Sequence, residues 1–211
     1  MIKRLLVAAG PTREKIDPVR FISNYSTGTF GYAIAKEARR RGLKVTLVSG
    51  PTALKIPPGV KFIAVESSIE MRRALLAEFK KCDCVIMSAA VADWRPIYSA
   101  RRKIKKTTVR TIELVENPDI LAELGAKKKG RIAVGFALET ENLERNALKK
   151  LKDKNLDLIV ANRFGSDSYI FGDRKIDVVT VDRFGNKTRI RGKSKQELAK
   201  AVLGKTLKLG A

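Results

Sequence analysis

The chain has 211 residues, 44% of them apolar, which is enough for one substantial hydrophobic core in a single domain spanning 1–211. Its 44 Lys and Arg stand against 22 Asp and Glu, a formal net charge of +22 that attracts polyanions, and it has no histidine, which excludes imidazole acid–base chemistry and histidine-activated nucleophiles. No apolar run reaches the about 20 residues that cross a bilayer, and Met1 to Arg4 lead straight into a strand-like segment, so a cytoplasmic protein with no membrane partner is expected.

In chain order, the apolar pattern predicts a strand over residues 3–9, a polar loop, and a helix over 30–41 that stops at Gly42. Strands follow at 44–49 and 61–65, and Ser67 with Glu70 forms a capping box for a helix over 69–81. Cys82 and Cys84 open the next strand, 84–90, where alternation would point both to one face as small buried hydrophobes; two thiols without histidine are too few for a metal site. Residues 94–110 carry Arg95, Arg101, Arg102, Lys103, Lys105 and Lys106 with few apolar anchors and read as a mobile basic flap. A helix over 119–127, a strand over 132–138, a helix over 142–154 and a strand over 157–161 come next. A β-hairpin follows, 176–180 and 188–191 around Asp182 to Asn186, and a helix over 195–208 capped by Ser194 and Glu197 ends the pattern. Alternating strands and helices predict a three-layer, doubly wound, mainly parallel α/β sheet.

The segment richest in chemistry is Ala9-Gly10-Pro11-Thr12-Arg13-Glu14, followed by the loop from Asp17 to Gly31. Glycines at 28 and 31 open a helix, where free N–H groups and the helix dipole favour phosphate. The same residues also allow a plainer reading, in which Ser26 caps the helix and the glycines permit close packing. One glycine followed by proline is not the dinucleotide fingerprint, so a nicotinamide oxidoreductase lacks support.

Taken in order, these residues resemble phosphopantothenoylcysteine synthetases (phosphopantothenate–cysteine ligases). The likeness runs from the two segments above through Ala89-Ala90-Val91-Ala92-Asp93-Trp94-Arg95, Lys103-Ile104-Lys105-Lys106, Glu116-Asn117-Pro118-Asp119-Ile120-Leu121, Gly135-Phe136-Ala137-Leu138-Glu139-Thr140 and Asn155 to Asn162. It implies a Rossmann-like ligase with a C-terminal hairpin and a basic flap. The implied reaction joins 4′-phosphopantothenate to L-cysteine in coenzyme A biosynthesis. The acid attacks the α-phosphate of a nucleoside triphosphate, pyrophosphate leaves, and the cysteine amine displaces the monophosphate. Positioning and cations suffice for such steps, in keeping with a histidine-free chain and with magnesium as the accompanying ion.

The resemblance assigns Asn24 to the acyl-nucleotide, Arg20 to the second half-reaction and Lys103 to the triphosphate, with Ala90 beside the substrate. It assigns nucleotide binding to Gly10, Ser26, Gly28, Gly31, Met87, Ser88, Ala89, Asp93, Pro118, Asp119, Ile120, Leu121, Phe136, Lys150 and Lys154. The flap motif and the lysine pair favour CTP over ATP. Members are homodimers, with the hairpin region 163–192 and the flap near the interface. Tyr25 replaces a common histidine, and Ser26-Thr27 stands where two serines are usual, which keeps both hydroxyls. Relatives are often fused behind a flavin-dependent decarboxylase; this chain begins at the ligase part, so neither flavin nor decarboxylation is expected. The competing class, a nucleic-acid-binding module, rests on the charge alone, since no motif and only 6% aromatics support it.

Overall fold

The computed structural model describes residues 1–106, 111–164 and 174–210. In chain order the elements are β1 (Arg4–Ala9), β2 (Arg13–Lys15), β3 (Phe21–Ser23), α1 (Thr29–Arg40), β4 (Lys44–Ser49), β5 (Lys61–Ala64), α2 (Ser68–Phe79) and β6 (Cys84–Met87). They continue as β7 (Trp94–Pro96), β8 (Leu114–Glu116), α3 (Ile120–Ala126), β9 (Ile132–Glu139), α4 (Leu143–Asp153), β10 (Leu158–Arg163), β11 (Ile176–Asp182), β12 (Lys187–Lys193) and α5 (Lys195–Leu209).

One eight-stranded sheet, in the order β12-β11-β10-β9-β6-β1-β4-β5, organises the fold. Its six strands from β5 to β10 run parallel, while β11 and β12 return antiparallel. The central strands β1 and β6 are apolar and buried on both faces, as a parallel sheet covered on two sides requires. From β1 the chain winds outward to β4 and β5, then comes back to β6 and winds the other way. The direction therefore reverses between β1 and β6, and a crevice opens at their carboxyl ends.

Each face of the sheet carries its own core. On one, Ile34, Ala35 and Ala38 of α1 and Leu198, Val202 and Leu203 of α5 cover Val7, Ile86 and Val134. On the other, Met71, Leu75 and Phe79 of α2, Leu124 of α3, and Ala147 and Leu151 of α4 cover Leu6, Val85 and Ile159. Each fully buried leucine contributes about 2 kcal/mol from lost apolar exposure. The helix starts follow local chemistry. Ser194 and Glu197 make both bonds of a capping box on α5. At α2 only half the expected box forms: Ser67 accepts from the Glu70 N–H, but Glu70 reaches back to the Glu66 N–H at 2.8 Å instead.

The cysteines correct the same-face expectation. Cys82 lies in the turn before β6 and packs with Phe79 and Val85, whereas Cys84, inside the strand, packs on the opposite face with Ile86 and Val134. Alternation does not extend into a turn. Both are buried, and burial pushes the Cys82 thiol up to about 12 and the Cys84 thiol well up, which suits inert hydrophobes.

Two small ribbons, β2–β3 and β7–β8, sit apart from the main sheet. The second includes the first residues of the expected flap, with Trp94 opposite Glu116. Residues 107–110 of that flap, and 165–173 of the 163–192 region, lie outside the described residues. The strand expected over 84–90 ends at Met87, and the chain then turns to form a bridge between Ala90 and Pro11.

Candidate active site

The segments that leave β1 and β6 are stitched together over the crevice. The Ala90 N–H donates to the Gly10 carbonyl at 2.9 Å, the Thr12 N–H donates to the Ala90 carbonyl at 3.2 Å, and Thr12 Oγ1 accepts from the Ala92 N–H at 3.0 Å. Ser23 Oγ donates to the Thr12 carbonyl at 2.7 Å, which draws the loop before α1 across the same place. From that loop Asn24 extends its amide, and Nδ2 donates to the carbonyls of Ala90 and Val91, each at 3.1 Å. Its Oδ1 accepts no hydrogen bond among the described residues.

At the start of α1, Gly28 adopts φ 76°, a left-handed conformation that favours glycine, and no side chain caps the helix. Ser26 Oγ instead accepts from the Gly28 N–H at 3.3 Å, so Ser26 is not the helix cap that the plainer reading allowed. Gly31 does fit that reading: a Cβ there would lie 2.5 Å from Ala9 Cβ and 2.5 Å from Ser88 Oγ. Its absence lets α1 settle against the carboxyl ends of β1 and β6.

Over the carboxyl ends of β6 and β9 lies a cleft of ≈ 610 Å³. Of the residues expected to contact nucleotide or substrate, Ser26, Met87, Ser88, Ala89, Ala90, Asp93, Pro118, Asp119, Ile120, Leu121, Phe136, Lys150 and Lys154 line it. Gly10, Gly28, Gly31, Arg20 and Lys103 are not among the residues that line it. Asn24 is in the wall of a neighbouring groove and reaches the cleft through Ala90 and Val91.

The cleft walls are held by polar bonds. Asn117 Nδ2 donates to the Ala92 carbonyl at 2.8 Å, and its Oδ1 accepts from Arg95 at 2.9 Å, which locks the segment before α3 to the segment after β6. Asp119 caps α3 through the Ala122 N–H and also pairs with Lys154 at 2.8 Å. Burial raises the Asp119 carboxyl, but Lys154 and the cap bond outweigh it and hold the pKa below its ordinary value. Lys150 pairs with Glu139 at 2.6 Å, and there too burial is outweighed, by Lys150 and Asn146 together. Both lysines thus line the cleft already paired.

Arg20 is engaged elsewhere. Its guanidinium pairs with Asp17, whose side chain is wholly buried, and donates to the Ile104 carbonyl at 3.0 Å. Asp17 also accepts from the N–H groups of Val19, Arg20 and Ile104. One carboxylate therefore fastens the basic segment around Lys103 to the turn between β2 and β3. The Arg20 guanidinium, with burial opposing it and the backbone donors assisting, holds Asp17 far below the usual carboxylate range.

Phe30, Trp94, Glu116, Asn117, Asn162 and Lys195 also line the cleft without having been singled out from the sequence. Phe30 meets Phe136 edge to face at 5.0 Å between centroids. Asn117 and Trp94 stood within recognisable motifs. Nothing in the sequence marks Lys195, which only the returning hairpin brings to this edge.

Carboxylates in the cleft are few. Among the described residues no group of three His, Cys, Asp or Glu is placed to hold a metal ion, and no helix is long and apolar enough to cross a membrane. The carboxylates among the cleft's lining residues are Asp93, Glu116 and Asp119.

Comparison with known proteins gives a consistent picture. Residues 1–209 match the family described as DNA/pantothenate metabolism flavoprotein C-terminal domain. The coenzyme A biosynthesis bifunctional protein CoaBC of Bacillus subtilis is 50% identical over 172 residues, 81% of this chain and 42% of that protein. The chain thus spans less than half the length of that relative. A crystal structure of the C-terminal domain of a CoaBC protein superposes with a TM-score of 0.83 at 42% identity, over 96% of this chain and 93% of that one. A Cab2 mutant in complex with phosphopantothenate-cysteine shares the fold at 19% identity, with a TM-score of 0.75 over 98% of this chain and 87% of that one.

Proposed function

Because the chain belongs to the DNA/pantothenate metabolism flavoprotein C-terminal domain family, we propose that it joins 4′-phosphopantothenate to L-cysteine at the expense of a nucleoside triphosphate, through an acyl-nucleotide. The observation that carries this reading is the cleft itself. It gathers residues dispersed from Ser26 to Lys154 at the point where the sheet reverses direction.

In this reading the nucleotide lies with its base and ribose between Phe136 and the Pro118–Leu121 turn. Its phosphates face Ser26 and the start of α1, where uncapped N–H groups and the dipole favour negative charge. Lys150 and Lys154 leave Glu139 and Asp119 for the triphosphate, an exchange of one anion for another. Asp93 and Glu116 would hold the magnesium ion, which supplies charge neutralisation on the phosphates when bound. Asn24 borders the place where acid and α-phosphate meet, and its free Oδ1 can orient the incoming amine while its NH₂ fixes the loop. Arg20 and Lys103, clamped together through Asp17 and Ile104, would approach as one basic unit when that segment shifts. CTP is favoured over ATP on the flap and lysine-pair motifs.

A homodimer is also part of the proposal. Val19, Phe21, Ile97, Tyr98, Leu114 and Val115 are large apolar side chains left exposed on the two ribbons and their connections. Such a patch favours a protein interface. In the hairpin β11–β12, Phe184 alone is exposed in this way among the described residues. The ribbons are therefore the better-supported interface.

The test incubates the protein with 4′-phosphopantothenate, L-cysteine, magnesium and either CTP or ATP, and identifies the amide product by mass. Product formed only when all components are present supports the ligase. No product with either nucleotide overturns it.

A further inference from the structure

A concavity of ≈ 600 Å³ lies between the first turn of α4 and the hairpin β11–β12, and of its lining residues only Val178 also lines the cleft. The sheet explains its place. β12 is an edge strand, and α4 packs over β9, β10 and β11, with β12 beyond it. Alternation along β12 packs Ile190 against the core shared with α1 and α5 and turns Lys187, Arg189 and Arg191 toward the α4 side. There Glu144 of α4 pairs with Lys187 at 3.1 Å and with Arg189.

Four of the lining residues are arginines: Arg145, Arg163, Arg189 and Arg191. Arg163, at the end of β10, gives its Nε–H to the Thr140 carbonyl at 3.2 Å, which orients the guanidinium, and makes no other bond to a described residue. Arg189 is held in the same way by its one bond to Glu144. Arg145 and Arg191 form neither a hydrogen bond nor an ion pair with any described residue. Two carboxylates share the lining, and both are already engaged: Glu144 as above, and Asp177, whose Oδ1 accepts from the Gly192 N–H at 2.7 Å.

Arginine, unlike lysine, offers a planar fork that matches phosphate oxygens two at a time. Four forks around one concavity exceed what a single phosphate accepts and call for a ligand that carries at least two. The volume is that of a small-molecule site. The other described lining residues, Asn142, Leu143, Val178 and Val179, include no aromatic ring on which the bases of a nucleic-acid strand would stack.

We infer that this groove binds a small anion carrying two or more phosphates, with Arg163 and Arg189 as the pre-set donors and Arg145 and Arg191 closing on it. The inference stands apart from the ligase reading, because no residue assigned to nucleotide or acid lines this groove.

The experiment titrates inorganic tripolyphosphate by calorimetry, at about 0.15 M salt to screen diffuse attraction, into three proteins. These are the parent, a groove variant carrying Arg145→Gln and Arg191→Gln, and a cleft variant carrying Lys150→Met and Lys154→Met. A saturable site of one per chain is expected that the cleft variant keeps and the groove variant weakens on the order of 100-fold, as loss of two charge-assisted pairs does. Inorganic monophosphate should bind that site more weakly than tripolyphosphate. The thermal midpoint of the groove variant should match that of the parent, since the two replaced side chains hold no described residue. Equal affinity in parent and groove variant, a site lost only in the cleft variant, or uptake that never saturates would overturn the assignment. A single-stranded oligonucleotide that binds the parent more tightly than tripolyphosphate, and loses that binding in the groove variant, would overturn the small-anion claim in favour of nucleic acid.

Discussion

Asn24 gives both hydrogens of its side-chain amide to the backbone of the neighbouring loop, one to the Ala90 carbonyl and one to the Val91 carbonyl, each at 3.1 Å. A residue before α1 is thereby tied to the segment after β6, across the place where the sheet changes direction. Asn24→Asp turns two attractive contacts into a carboxylate facing two carbonyl oxygens. Its kcat is expected to fall on the order of 10²-fold, the usual result of misplacing one polar group at an acyl centre. The loss of two net hydrogen bonds, about 1 kcal/mol each, should lower Tm without unfolding the protein. Full activity in this variant would remove Asn24 from the mechanism.

The buried carboxylate of Asp17 holds the Arg20 guanidinium and the Ile104 N–H together. Asp17→Asn keeps the shape and removes the charge. Trypsin should then cut within residues 101–106 about tenfold faster, as expected if local opening becomes easier by about 1.4 kcal/mol. An unchanged cleavage rate would show that this clamp does not hold the basic segment in place.

Lys150 and Lys154 enter the cleft paired with Glu139 and Asp119. Lys150→Met and Lys154→Met are each expected to raise the KM for nucleotide about tenfold, with little change in the KM for the acid. Since Asp119 also caps α3, Lys154→Met should cost stability through its unpaired partner, which thermal unfolding would register. Nucleotide KM values equal to those of the parent would confine both lysines to a structural role.

Glu37, buried between α1 and α5, accepts from Arg40 and Arg41, and Arg41 also donates to the Lys200 carbonyl at 3.1 Å. Arg40 foremost, with burial opposing and Arg41 assisting, lowers the carboxyl from 4.5 to about 2. Because the folded pKa is depressed, its stabilisation is fully present above 4.5 and fades as pH falls toward 2. The Tm difference between the parent and Glu37→Gln should therefore stay constant from pH 7 down to about 4.5 and narrow below it. A difference that grows on acidification would contradict the assignment.

What could be read in advance followed from how much chain each feature occupies. The strands β1 and β6, buried on both faces, announce themselves as unbroken apolar runs, and Ser194 with Glu197 marks the start of α5 by local chemistry alone. The ribbons β2–β3 and β7–β8 use three-residue strands, too short for alternation to register. Lys195 reaches the cleft only because β11 and β12 carry the chain back to the carboxyl edge of the sheet, a matter of topology. The pairing of Arg20 with Asp17 is local in sequence, yet its hold on Ile104 spans a distance that no motif encodes. Gly31 shows the limit of a glycine signal: its role in packing against Ala9 and Ser88 is indistinguishable in sequence from one in phosphate binding.

The most direct test of the proposed chemistry is a rapid-quench measurement of pyrophosphate from enzyme mixed with magnesium, CTP and 4′-phosphopantothenate, with cysteine left out. A burst approaching one pyrophosphate per active site, accompanied by an enzyme-bound acyl-nucleotide that cysteine then consumes, is the expected result. Pyrophosphate release that requires cysteine from the outset, or none with either CTP or ATP, would contradict it.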